Sequence, residues 1–155
     1  MRRWILYFVI FIVVAITNVP GFHGTDVGQL LPVEAVRLSS MNGMVILETD
    51  TGDSGIGVDV EAAIRDLKAT TSGNVFLETA DYLIVEPGCE DLMVQIQLHV
   101  HPSCDVCAEE RKTDLEETVK FLSVHKPGVT LQEWIGGSAE MPTLTIEGGK
   151  MKLVR

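Results

Sequence analysis

The chain has 155 residues, enough for a membrane segment and one compact domain and too few for two domains of ordinary size. It is 46% hydrophobic and acidic, with 22 Asp and Glu against 12 Lys and Arg, a formal net charge of −10 at pH 7. Two of the basic residues are Arg2 and Arg3, so the part beyond Phe22 carries 10 basic against 22 acidic residues, a charge of −12. That balance excludes nucleic acid as a partner, because neutralising its backbone requires Lys and Arg.

Arg2 and Arg3 precede an uncharged run, Trp4-Ile5-Leu6-Tyr7-Phe8-Val9-Ile10-Phe11-Ile12-Val13-Val14-Ala15-Ile16, which has the form of an export signal. The following residues 17–24 contain no small-x-small cleavage site and no cysteine for lipid attachment, which favours an uncleaved anchor. Carried through Phe22, the run reaches the roughly 20 residues that span a bilayer. The paired arginines hold their end in the cytoplasm and send the remainder across the membrane. Residues 1–24 are therefore expected to be a signal anchor or signal peptide, 25–32 a linker, and 33–155 a single extracytoplasmic domain. The expected location is the cytoplasmic membrane, with one N-terminal span and the domain outside, or secreted if the signal is cleaved.

Pro32 marks the start of a β-prone segment with Val33, Val36 and Leu38, and Asn42-Gly43 suits the positive φ angles of a tight turn leading into Met44-Val45-Ile46-Leu47, which predicts a hairpin over residues 33–49. Asp59 is placed to cap a helix over 60–68 whose Val60, Ala63, Ile64 and Leu67 share one face. Val75-Phe76-Leu77 and Tyr82-Leu83-Ile84-Val85 read as short buried strands, the second ending before Pro87-Gly88. Residues 90–100 fit two patterns. Val94, Ile96, Leu98 and Val100 alternate with polar residues as in a strand, and Leu92, Met93, Ile96 and Val100 equally occupy one helical face.

Residues 105–108 suit a strand. Thr113-Asp114-Leu115-Glu116 is a capping-box pattern for a helix carrying Leu115, Val119 and Leu122, and Thr130-Leu131-Gln132-Glu133 repeats it ahead of Trp134 and Gly136-Gly137. A final hairpin turns at Gly148-Gly149. The fold class expected is α/β (α+β): a small mixed sheet with two to three helices, preceded by an N-terminal transmembrane or signal helix.

The succession Gly57-Val58-Asp59-Val60-Glu61-Ala62-Ala63-Ile64-Arg65-Asp66-Leu67, then Val75-Phe76-Leu77-Glu78-Thr79-Ala80-Asp81-Tyr82-Leu83-Ile84-Val85, resembles the N-terminal domain of spore-germination receptor C subunits. The likeness spans residues 33–122 and lies in the order of elements. It implies an exported, membrane-attached protein, although the lipid-attached cysteine of that family is absent here. The C-terminal half is similar to thioredoxin-like proteins, through an extended segment 95–100, Cys104-Asp105-Val106-Cys107, and Met141-Pro142 before a hairpin. This second resemblance implies a redox site of Cys104 and Cys107 at a helix start, with Pro142 as a cis-proline beside it. The residues after the motif oppose such a helix, since Glu109-Glu110-Arg111-Lys112-Thr113-Asp114 offers no large apolar side chain to bury. That pattern leaves both cysteines on a strand or loop.

His99, His101, Cys104 and Cys107 form a compact set of four possible zinc ligands, but structural zinc sites more often draw two ligands from each of two separated elements. Outside the membrane a disulfide between Cys104 and Cys107 is the expected state, and Cys89, the odd thiol, is expected to be a small buried residue at a helix start. His23 and His125 stand alone, with no nucleophile motif to partner either. Asp50, Asp53 and Asp59 miss the calcium-loop spacing, and the glycines among them lack the Lys-Ser or Lys-Thr of a phosphate loop. No catalytic residue and no cofactor is assigned. The expectation is a non-enzymatic domain acting through protein contacts, with the membrane and a membrane protein as partners and the oligomeric state open. The alternative is a membrane-tethered thiol-disulfide or metal-binding domain using Cys104 and Cys107.

Overall fold

The computed structural model describes residues 30–155; the expected signal segment 1–24 lies outside the described residues. Among the described residues, no helix is long and apolar enough to cross a membrane. The elements in order are β1 (Leu30–Pro32), β2 (Ala35–Met41), β3 (Met44–Thr49), β4 (Ser54–Gly57), α1 (Val60–Thr70), β5 (Asn74–Phe76), β6 (Tyr82–Val85), α2 (Met93–Ile96), β7 (Asp105–Glu109), α3 (Leu115–Val124), α4 (Leu131–Ile135), β8 (Thr143–Glu147) and β9 (Lys150–Val154). Seven strands form one mixed sheet in the order β4-β3-β2-β6-β7-β8-β9, and β1 and β5 make a separate parallel pair. The fold is thus a mixed α+β arrangement, with four helices among the described residues in place of the expected two to three, α2 and α4 being single short turns of chain.

The first hairpin closes through Asn42 and Gly43 at φ of 54° and 78°, which sets Met41 opposite Met44. Helix α1 starts where Asp59 Oδ1 accepts the Ala62 N–H at 2.7 Å and buries Val60, Ala63, Ile64 and Leu67. It runs two residues beyond the expected 60–68. Strand β6 lies parallel to both β2 and β7, so both of its edges are occupied. The chain between two parallel neighbours must cross over a face of the sheet, which requires a connection off the sheet. That requirement decides the ambiguous residues 90–100: they form a 3-10 turn at Glu90–Leu92 followed by α2, with Met93 and Ile96 buried.

Three further expectations are corrected. The linker does not reach Pro32, since Leu30–Pro32 pairs in register with Asn74–Phe76. The strand expected at 75–77 is that same partner and stands apart from the main sheet; Thr79 Oγ1 accepts the Val33 N–H at 3.1 Å, joining the two segments that lead from this pair into β2 and β6. Helix α3 is capped by Asp114, which accepts the Glu117 N–H at 3.0 Å, and not by Thr113. The capping box at Thr130 and Glu133 forms as expected.

Alternation along the strands divides the interior in two. One face of the sheet packs Val36, Leu38, Leu47, Leu83, Val85 and Val106 against α1, α2 and Leu131 of α4. The other packs Ala35, Tyr82, Ile84 and Cys107 against Val119 and Leu122 of α3 alone. One helix does not cover the width of seven strands.

Candidate functional site

On the face beneath α3, the strand sequence Ala35-Val36-Arg37-Leu38-Ser39 places Arg37 inside the fold, only 2% exposed. A buried guanidinium requires partners for its donors. Its Nε and Nη2 donate to the two carboxylate oxygens of Glu109 at 2.7 and 3.2 Å, a bidentate pair in which Glu109 is fully buried. Nη2 also donates to the Thr113 carbonyl at 2.8 Å, and Nη1 donates to Glu48 at 3.2 Å.

Glu109 in turn accepts the Thr113 N–H at 2.8 Å and the Thr113 hydroxyl, and that hydroxyl meets the Thr118 hydroxyl of α3. Glu48 is the outermost member, reached from solvent by Lys112. Burial works against its charge, but the hydrogen bonds from Lys112 and Arg37 outweigh burial and hold its carboxyl below the ordinary range.

This network closes the floor of an open cleft of about 320 Å³, whose walls include Asp53, Ser54, Lys112, Asp114 and Leu115. Its charged groups are engaged with one another, so its clearest role is to pin residues 110–114 and the start of α3 to strands β2 and β7. The sequence reading overlooked it. The available signal was a charged residue flanked by Ala35, Val36 and Leu38 within a strand.

Beside the cleft, no described helix covers the same sheet face. Met41 lies opposite Met44 and Ile46 opposite Ile56. Met41 and Ile56 are exposed and Met44 and Ile46 half-buried, giving a continuous apolar surface on β2, β3 and β4.

The residues singled out for zinc or redox chemistry are dispersed. Cys104 and Cys107 sit before and within β7, three positions apart, and an odd spacing on a strand sends side chains to opposite faces. Cys104 joins the core under α1 and Cys107 the core under α3, both buried. The expected disulfide is therefore not formed, and all three cysteines are free.

His99 pairs with Glu61 at 3.1 Å, and His101 Nδ1 meets the Ser103 hydroxyl at 2.6 Å. Among the described residues, no group of three or more His, Cys, Asp and Glu is arranged to hold a metal ion. Pro142 does lie next to β7, its carbonyl accepting the Ala108 N–H at 2.9 Å, but no cis peptide occurs among the described residues. Cys89 is buried at the start of the turn before α2, as expected of a small core residue.

Burial, aided by the Glu109 and Asp105 carboxylates, pushes the Cys107 thiol up to about 12. Burial with Asp105 and Asp81 raises that of Cys104 as well. A thiol held protonated is a poor nucleophile. Alkylation of the folded chain at neutral pH is accordingly expected to leave Cys104 and Cys107 unmodified with or without chelator, and modification is expected to follow unfolding. Mass spectrometry of the alkylated protein checks this; rapid, selective modification of Cys104 together with insulin-reductase activity would overturn it.

Comparison of this chain with family models, with curated proteins and with solved structures finds no match.

Proposed function

We propose that the protein is a membrane-anchored, extracytoplasmic domain that acts through protein contacts and not through turnover, in an accessory role like that of the spore-germination receptor C subunits. The observation that carries this reading is the uncovered half of the sheet, where Met41, Met44, Ile46 and Ile56 form one apolar surface on an otherwise strongly acidic domain. Solvated apolar surface of that continuity is a recognised mark of an interaction site. The export-type N-terminus supports placing this surface at the outer side of the membrane, within reach of an integral membrane partner. The buried Arg37–Glu109 network supports it by tying β2, which carries Met41, to β7 and to the start of α3 beside that surface.

Protease added to intact protoplasts is expected to remove the domain and leave the anchor. The full-length chain extracted in mild detergent is expected to migrate as part of a larger complex. The paired substitutions Met41→Asp and Ile56→Asp should release it as a monomer without loss of folding, because an aspartate desolvated in a contact costs far more than one left in water. Full protection from protease would reverse the topology, and a wild-type monomer would remove the contact role.

A further inference from the structure

We propose that the end of the domain carrying Phe76 and Leu98 rests in the interfacial layer of the bilayer to which the chain is anchored. This rests on the anchored reading above and adds which surface meets lipid. The first argument is one of length. Between Phe22, where the apolar run ends, and Leu30, where β1 begins, lie residues 23–29, which fully extended reach at most about 25 Å. A compact domain of the size of residues 30–155 has a radius of gyration of about 14 Å, so its diameter exceeds that tether. The pole of the domain opposite Leu30 therefore cannot reach the bilayer, and contact by the side bearing Leu30 is favoured.

The second argument is what that side displays. Strand β1 pairs with β5 so that Pro32 lies opposite Phe76, and both are exposed, Phe76 by 40%. Phe76 lines a cleft together with His99 and Lys68, and Leu98, next to His99 in the chain, is the most exposed large apolar residue of the described chain, at 79%. Val94, four residues earlier and on the outer side of α2, is 54% exposed. Leaving such side chains in water forgoes about 25 cal/mol for each Å² that a neighbouring apolar medium would cover. Charge also permits the approach. In a domain of strongly negative net charge, this cleft is lined by one carboxylate, Glu78, and one cation, Lys68, and the Glu61 carboxylate at its edge is paired with His99.

The test uses the full-length chain reconstituted into phosphatidylcholine vesicles. Single substitutions Phe76→Cys, Leu98→Cys and Met41→Cys are labelled with a thiol-reactive fluorophore. The native cysteines are buried and remain unlabelled, which the unsubstituted chain verifies. Met41 is the control because it is exposed and apolar yet lies at the far end of β2, about 20 Å along the strand from Ala35. Replacing the lipid by its acyl-brominated form is expected to lower the emission from positions 76 and 98 roughly twofold, as for groups seated at the headgroup and acyl boundary, and to leave position 41 unchanged. Equal quenching at position 41, or none at 76 and 98 while the protein still floats with the vesicles, would overturn the docking and leave the anchor standing. Failure of the full-length chain to float with the vesicles would overturn both.

Discussion

Replacing Glu109 by alanine is expected to destabilise the domain by about 3–5 kcal/mol, because it leaves the buried Arg37 guanidinium without its bidentate partner. The loss should exceed that of the double substitution Arg37→Met with Glu109→Leu, which removes both charges and keeps the volume. That double variant still leaves the Thr113 N–H and hydroxyl without their acceptor, so it is expected to fall between wild type and the single variant. Urea unfolding of the full-length chain in detergent, followed by circular dichroism, measures the order. A single variant no weaker than the double would mean that Arg37 finds water or another anion when Glu109 is gone.

Gly57→Ala should be the second severe substitution, at the upper end of what overpacking costs, about 3 kcal/mol. Strand β4 passes so close under α1 that a Cβ at Gly57 would stand 2.6 Å from the Cβ and carbonyl carbon of Ala62, with the Ala63 nitrogen nearer still. Gly55 meets the same helix one turn further along, where a Cβ would lie 2.5 Å from the Leu67 nitrogen. These are helix backbone atoms and cannot rotate aside. Gly52→Ala is the contrasting case. Nothing stands within 4 Å of its Cβ position, but its φ of 85° disfavours a side chain, so a loss of only about 1 kcal/mol is expected. Thermal unfolding of the two variants checks this ranking, and comparable losses at positions 52 and 57 would show that β4 can move away from α1.

Much of the architecture could be read from local pattern, because local chemistry alone determines it. Asn42-Gly43 turns the first hairpin, Asp59 caps α1, Thr130 and Glu133 make a capping box, and Gly148-Gly149 joins β8 to β9, each within a few residues of chain. The acidity, the apolar N-terminal run and the lack of a helix after Cys107 are likewise properties of the sequence by itself.

What only the tertiary structure decided depends on neighbours distant in the chain. Residues 90–100 satisfied two periodicities, and the parallel pairing of β6 with β7 selected the helical one by demanding a crossover. Thr113 had the pattern of a helix cap, yet Glu109 takes its hydroxyl and the cap passes to Asp114, one residue on. Gly55 and Gly57 lay in a glycine-rich stretch that matched no phosphate loop, and their role is to admit α1 against β4. Cys104 and Cys107 shared a motif spacing in one dimension, but a strand turns that spacing into opposite faces and gives them separate cores. Arg37 found its acceptor 72 residues away, at the end of a strand two places across the sheet, and no local pattern encodes a pairing that the sheet order creates.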